Sequence, residues 1–322
     1  MATKRMFGLA LLMLAFMTGA GYAQTWPSRP VRVIVPITPG SGIDIVARAT
    51  SQQLAKEFGQ PFVVENRPGA GTTIGIAAAA SAPPDGYTLL FASTALTTTP
   101  STVAGLRYDV ERDLVAIAPI TNTPMIVVTP HGKYKNIADM VAVAKAGKGL
   151  MSYGIMGYGS AAHFATDRFR LDAGFDAQAV PFRGTPEAMT EVMTDRLGFF
   201  FSPLTAAQSL VADGRLDALA TTSRKRSSKL PNVPTMLEAG YPNSDFDFWV
   251  GLFAPAKTPR EIVDRLYRET RRISESAEFR KSMSGIGGEP LEPMTSEQFS
   301  AYVKAELARN AAIAKAVGLV PK

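Results

Sequence analysis

The sequence contains no cysteine. That excludes disulfides, thiolate metal sites and cysteine nucleophiles. Only two histidines occur, His131 and His163. No cluster of His, Asp and Glu has metal-ligand spacing, and no phosphate loop ending in Gly-Lys-Ser/Thr is present. No cofactor is therefore expected. Charged residues are sparse, 19% of 322, and the 34 basic side chains are scattered rather than clustered. A nucleic-acid partner would need a basic patch, so none is expected. Beyond the N-terminus no apolar run reaches the ~18 residues that mark a membrane helix.

The N-terminus itself is distinctive. Lys4 and Arg5 precede an apolar run, Phe7 to Phe16, and Gly21-Tyr22-Ala23 places small residues at the two positions a signal peptidase reads. This pattern predicts a secretory signal peptide over residues 1–23 and a periplasmic protein. No cysteine follows the run to accept a lipid anchor. An exported chain without disulfides must rely on its core. At this size folding buries roughly 75% of the extended surface, and the length suggests about two domains.

The rest of the chain alternates short apolar runs with helical patterns. Val31–Val35, Phe62–Glu65 and Thr88–Phe91 read as strands, with helices after Ile43 and near Ile74–Ala80 between them. Such repetition predicts a parallel sheet covered by helices. Further strands are expected at Val115–Ile120, Met125–Val128, Met151–Tyr153, Ala177–Val180, Leu197–Phe201, Leu216–Ala220 and Phe246–Phe253. Asn136 reads as the cap of a helix over Ile137–Ala146. Other helices fall around Ala161–Leu171, Pro186–Thr194 and Thr205–Ala212, with Thr185 capping the second of these. Thr258 with Glu261, and Thr295 with Gln298, read as capping boxes for two helices near the end. Ser223–Asn243 is polar and proline-rich, a surface connection.

Three glycine loops each follow a strand and precede a helix. They are Pro36 to Asp44, Pro68 to Thr73, and Gly157 to His163. The first amides of a helix lack internal partners and carry partial positive charge. Glycine lets a ligand approach them, so an anion can be held without a buried cation. A single loop of this kind can be no more than a tight turn, and the second loop reads most readily as structural. Two loops in separate halves predict a shared anion cleft. The third loop also resembles a dinucleotide fingerprint, Gly157-x-Gly159-x-x-Ala162. The next strand, however, runs into Pro181-Phe182-Arg183-Gly184 rather than an acidic ribose ligand. Ser160 and His163 lie three apart at a helix start. A serine hydrolase would need the hydroxyl within reach of an imidazole held by a third group, and Gly159-Ser160 lacks the second glycine of a nucleophile elbow, so capping and local bonding are expected rather than catalysis.

These stretches resemble the solute-binding receptors of tripartite tricarboxylate transporters, the Bug family. The resemblance runs over Trp26 to Val31, Val35-Pro36 with its glycine loop and Asp44, and Gly59 to Gly71. It continues through Pro84 to Leu90, His163 to Ala165, Val180 to Gly184, Leu230 to Thr235 and Trp249 to Leu252. It implies a type II periplasmic-binding-protein fold: two α/β lobes joined by two crossing strands near Ile120–Met125 and Phe246–Phe253, with a ligand cleft between them. Lobe 1 would comprise 24–122 and 247–322, and lobe 2 residues 123–246. Carried over residue by residue, the ligand-binding positions are Thr38, Gly40, Ser41, Gly42, Asp44, Ser93 and Thr94 on lobe 1. On lobe 2 they are Gly157, Tyr158, Gly159, Ser160, His163, Phe182, Arg183, Gly184, Thr185 and Ser202. The chain departs from the family pattern at Ser41, Ile43 and Phe182, which bears on the identity of the ligand.

The implied function is capture of a small carboxylate, a di- or tricarboxylate or an aromatic acid, by cleft closure. The implied partners are that solute and the small and large membrane subunits of a transporter, with the receptor a monomer. A ligand sensor would use the same fold, and a periplasmic enzyme is the more distant alternative. Phe182, Phe200, Phe201, Phe248 and Trp249 are expected in the core. Any that face the cleft would suit a solute with an apolar body.

Overall fold

The computed structural model describes residues 26–147, 150–289, 291 and 293–316. The signal peptide expected over residues 1–23 lies outside the described residues. No described helix is long and apolar enough to cross a membrane.

The first sheet begins with β1 (Val31–Val35), β2 (Phe62–Asn66) and β3 (Thr88–Ser93), in which β1 pairs in parallel with both others. Helices α1 (Gly42–Phe58) and α2 (Thr73–Ala80) make the crossovers, and the short α3 (Ala95–Thr98) and α4 (Val110–Asp113) follow. Burial of most of β1 and β3 explains their largely apolar sequence, in which Arg32 is the one charged residue. The second sheet holds β5 (Ser152–Ile155), β6 (Gln178–Pro181), β7 (Phe199–Pro203) and β8 (Leu216–Thr221). Its helices are α5 (Ile137–Ala146), α6 (Ala161–Ala173), α7 (Thr185–Met193) and α8 (Leu204–Ala212).

The chain passes between the halves at two places. β4 (Leu114–Pro130) pairs with β9 (Asp247–Pro255) from Leu114 to Pro124, then exchanges that partner for β7 and β8 from Met125 onward. The expected two-lobed architecture is thus present. The sequence reads as two strands, Val115–Ile120 and Met125–Val128, on either side of the expected crossing near Ile120–Met125. The structure joins them into one strand, with register shifts at Ala116/Ala118 and at Pro119/Thr121, the second beside a residue that has no amide to donate.

The chain closes with α9 (Arg260–Glu275), α10 (Ala277–Gly285) and α11 (Ser296–Ala316). Two of the expected caps form. Asn136 accepts the Asp139 amide at 2.9 Å, and Thr295 and Gln298 exchange bonds of 2.8 and 3.2 Å. Two do not. The cap of α7 is Gly184, one residue before Thr185, and Pro259 precedes α9 while the buried Thr258 hydroxyl has no protein partner.

α11 returns to brace the crossing strands. Phe299 packs edge-on against Trp249 of β9, with centroids 5.8 Å apart. Gly251 of β9 makes this contact possible, since a Cβ there would lie 2.4 Å from the Phe299 ring. Deeper along α11, Glu306 is buried beside Arg309 at 3.2 Å. Burial pushes its carboxyl above the usual carboxylate range, and Arg309 only partly offsets this.

Two outcomes follow from this packing. Gly251→Ala should lower stability by about 1–3 kcal/mol in thermal or urea melts, as overpacking does. Glu306 has a raised folded pKa, so its favourable contribution is complete below the ordinary Glu value and is lost as pH rises through the folded value. Glu306→Gln should therefore melt above the parent at neutral pH, and the difference should vanish on acidification below about pH 4. A constant difference across pH would contradict the assignment.

Candidate solute-binding cleft

The three glycine loops converge where the lobes face each other. The seam there holds an inner space of about 390 Å³, counted to its open mouth. Residues at the starts of five helices line it: Gly42 and Ile43 of α1, Thr72 ahead of α2, Ser160 to Ala162 at α6, Thr185 of α7, and Pro203 ahead of α8. The first-turn amides of Gly42, Ile43, Ala161 and Ala162 have no intrahelical acceptor by position and lie at positive helix ends, whereas the Thr72 and Thr185 amides already donate to the Gly69 carbonyl and the Ser41 hydroxyl. No Lys or Arg is among the described residues lining it. The remaining walls are mostly apolar, including Ile37, Met125, Phe200, Phe201 and Phe248. Such a site can hold a small anionic group on backbone dipoles while its apolar walls enclose the remainder.

A wider outer space opens beside it, about 1220 Å³ including solvent at its mouth. Gly157, Tyr158, Phe182 and Arg183 line this part. Ile37, Thr72 and Met156 line both spaces.

The first loop is braced by Asp44, whose side chain is almost wholly buried. One oxygen accepts from the Gly40 amide at 2.9 Å and from Arg48 at 3.0 Å, and the other accepts from Asn66 at 2.8 Å. Asn66 also donates to the Ile37 carbonyl. Asp44 thus spends its charge on protein donors and fixes the loop around them. The third loop has its own brace. The Ser160 hydroxyl accepts from the Met156 and His163 amides at 3.2 and 3.3 Å. His163 Nδ1 accepts from the Gly159 amide at 3.1 Å, while Nε2 meets Asp167 at 3.0 Å. Tyr153 donates to Asp167 at 2.8 Å. Burial raises the Asp167 pKa, but bonds from His163 and Tyr153 and the charge of Arg170 outweigh it and hold the carboxyl below its ordinary value. In this geometry Ser160 caps α6 through its hydroxyl, and the His163 ring nitrogens face Gly159 and Asp167 rather than that hydroxyl.

Elsewhere the lobes touch directly. Ser41 accepts the Thr185 amide at 3.3 Å, and Thr38 lies 3.4 Å from Glu187. Thr98 donates to the Gly159 carbonyl at 2.9 Å. Gly40 faces Pro186, and Gly184 lies under Thr38.

Of the residues expected at the site, Gly42, Ser93, Ser160 and Thr185 line the inner space, and Gly157, Tyr158, Phe182 and Arg183 the outer one. Thr38, Gly40, Ser41 and Gly184 sit at the lobe contacts, and Asp44, Gly159 and His163 in the bracing networks. Thr94 pins β9, accepting from Trp249 at 3.0 Å and donating to the Asp247 carbonyl at 2.9 Å. Ser202 donates to the Pro203 carbonyl at 3.1 Å.

A sequence profile described as "Tripartite tricarboxylate transporter family receptor" matches residues 46–319. The chain belongs to this receptor family. It is 32% identical over 299 residues to the protein BugT of Bordetella pertussis, covering 92% of this chain and 91% of BugT. Among solved structures, the periplasmic binding protein BugD superposes with a TM-score of 0.88 at 29% identity, covering 92% of this chain and all of BugD. Rpa4515 of R. palustris with adipate gives a TM-score of 0.88 at 30% identity, covering 92% of this chain and all of that one. These likenesses identify the two-lobed fold as that of periplasmic binding proteins.

Within this receptor the second glycine loop plays a larger part than its sequence suggests. Ala70, Gly71 and Thr72 all have positive φ, and Gly71 lies against the carbonyl of Tyr158 across the seam. The inner apolar walls were also hard to assign from sequence. Phe200, Phe201 and Phe248 are both core residues and cavity lining, whereas Trp249 packs away in the first lobe.

The Gly71 contact supplies a test of closure. A Cβ there would lie 2.1 Å from the Tyr158 oxygen, a backbone clash that small shifts cannot relieve. Gly71→Ala should retain the circular dichroism of the parent but hold the lobes apart. Its radius of gyration in solution scattering should exceed that of the parent, whichever solute is added.

Proposed function

We propose that this chain is a periplasmic receptor that captures a small carboxylate, a di- or tricarboxylate or an aromatic acid, and delivers it to the membrane subunits of a tripartite transporter. The observation that carries this reading is the convergence of helix N-termini on a cation-free inner space. Backbone dipoles suit a carboxylate there, and the apolar walls suit the rest of a small solute. Family membership supports delivery to a transporter, and the adipate named with Rpa4515 supports the solute class.

In this reading lobe 1 comprises 24–122 and 247–322 and lobe 2 comprises 123–246. The change of β4 partner after Pro124 and the start of β9 at Asp247 support the division. Gly42, Ser93, Ser160 and Thr185, with the amides around them, contact the carboxylate. Arg183, Tyr158 and Phe182 meet whatever part of the solute reaches the outer space. The receptor works as a monomer in the periplasm and releases its solute unchanged. The involvement of Ser160 in capping and of His163 with Gly159 and Asp167 supports binding without turnover. Closure is favoured because the solute makes contacts with both lobes that the open state cannot supply.

Isothermal titration against succinate, L-malate, citrate, adipate, benzoate and terephthalate tests the proposal. At least one acid should bind with a dissociation constant well below millimolar. Failure of every acid to reach that level would remove the carboxylate reading.

A further inference from the structure

Thr72 is an outlier on three independent counts. Its φ is +86°, a region that a β-branched side chain rarely adopts. It is only 4% exposed, yet its hydroxyl has no hydrogen-bond partner in the protein. It also lines both the inner and the outer space. Glycine would relieve the backbone strain, and alanine would remove the orphan hydroxyl. The chain has neither there. The backbone holds the residue in place, with the Thr72 amide bonded to the Gly69 carbonyl at 3.1 Å and Gly71 pressed against Tyr158 of the other lobe.

Strained residues and unsatisfied buried groups concentrate where a ligand completes them. We infer that Thr72 is a solute-contacting, specificity-determining residue whose hydroxyl finds its hydrogen-bond partner in the bound acid. A hydroxyl can donate to a carboxylate oxygen or accept from a solute hydroxyl or amine. Its position between the two spaces places it beside a solute that occupies either of them. Because Thr72 adjoins the lobe contact at Gly71, the bond forms in the closed receptor, and Thr72 links occupancy to closure. The inference rests on the carboxylate-receptor reading above.

The test uses three variants and the tightest-binding acid of succinate, L-malate, citrate, adipate, benzoate and terephthalate. Thr72→Ser keeps the hydroxyl, Thr72→Val keeps the shape without it, and Thr72→Gly removes both hydroxyl and strain. Titration should show Thr72→Ser within about threefold of the parent. Thr72→Val and Thr72→Gly should bind about tenfold more weakly, the loss of one buried hydrogen bond. In the solute-free protein Thr72→Gly should melt at or above the parent temperature. Unchanged affinity in the valine and glycine variants, or a clear fall in the melting temperature of Thr72→Gly, would overturn the role of Thr72 and leave the receptor reading standing. Absence of binding by the parent to all six acids would instead overturn the receptor reading and this inference with it.

Discussion

The structure depends on one electrostatic constraint: amides at the starts of several helices must be left without protein acceptors, yet aimed at a common point. An α/β lobe provides this directly, because each strand ends where the next helix begins. Gly42 and Ile43 on one side and Ala161 and Ala162 on the other belong to different sheets. Only the two-lobed fold brings them to the same volume. Each lobe alone would expose its amides to water, where they gain little from an anion. Between the lobes the lower dielectric makes the same dipoles more effective.

The arrangement is useful only if the loops keep their shape when empty, and the two braces differ in chemistry for that reason. At the first loop a carboxylate is required, because it must accept from Gly40, Arg48 and Asn66 together. At the third loop an imidazole accepts from Gly159 and passes the demand to Asp167, itself held by Tyr153 and Arg170. Both acidic groups sit behind their loops with their oxygens engaged by protein donors. Their negative charge is thereby compensated locally and does not oppose an incoming anion.

The fold was legible where sequence signals were local. The Asn136 cap and the Thr295–Gln298 box each need only a few adjacent residues, and both form as expected. β4 reads locally as two short strands, Val115–Ile120 and Met125–Val128, while pairing with β9 on one side and with β7 and β8 on the other makes it continuous. The longer-range interaction wins. The glycine loops of the candidate site were legible because their residue types announce close approach, and the structure brings those loops together at the seam. The conformation of Thr72 was not, because nothing in Gly71-Thr72-Thr73 tells which residue takes positive φ or where its hydroxyl ends up. Phe200 and Phe201 were placed in the core for a sound reason. They are core, and the cavity is a gap within it.

The contacts between the lobes also bear on when the receptor closes. Thr72, Thr205 and Gln208 each bury a polar atom without a protein partner, and Gly42 and Gly287 place the last two at the seam with the first lobe. Leaving such an atom unpaired costs about 1–3 kcal/mol. Opening the seam would return these atoms to water and remove that cost. The bonds from Ser41 to Thr185 and from Thr98 to Gly159 work in the other direction. They are few, and water can replace them in the open state. These terms act in opposite directions. A solute that meets helix amides on both lobes shifts the balance by its differential affinity for the closed state. The empty closed state is kept from being too stable by the same polar groups that make the occupied one specific.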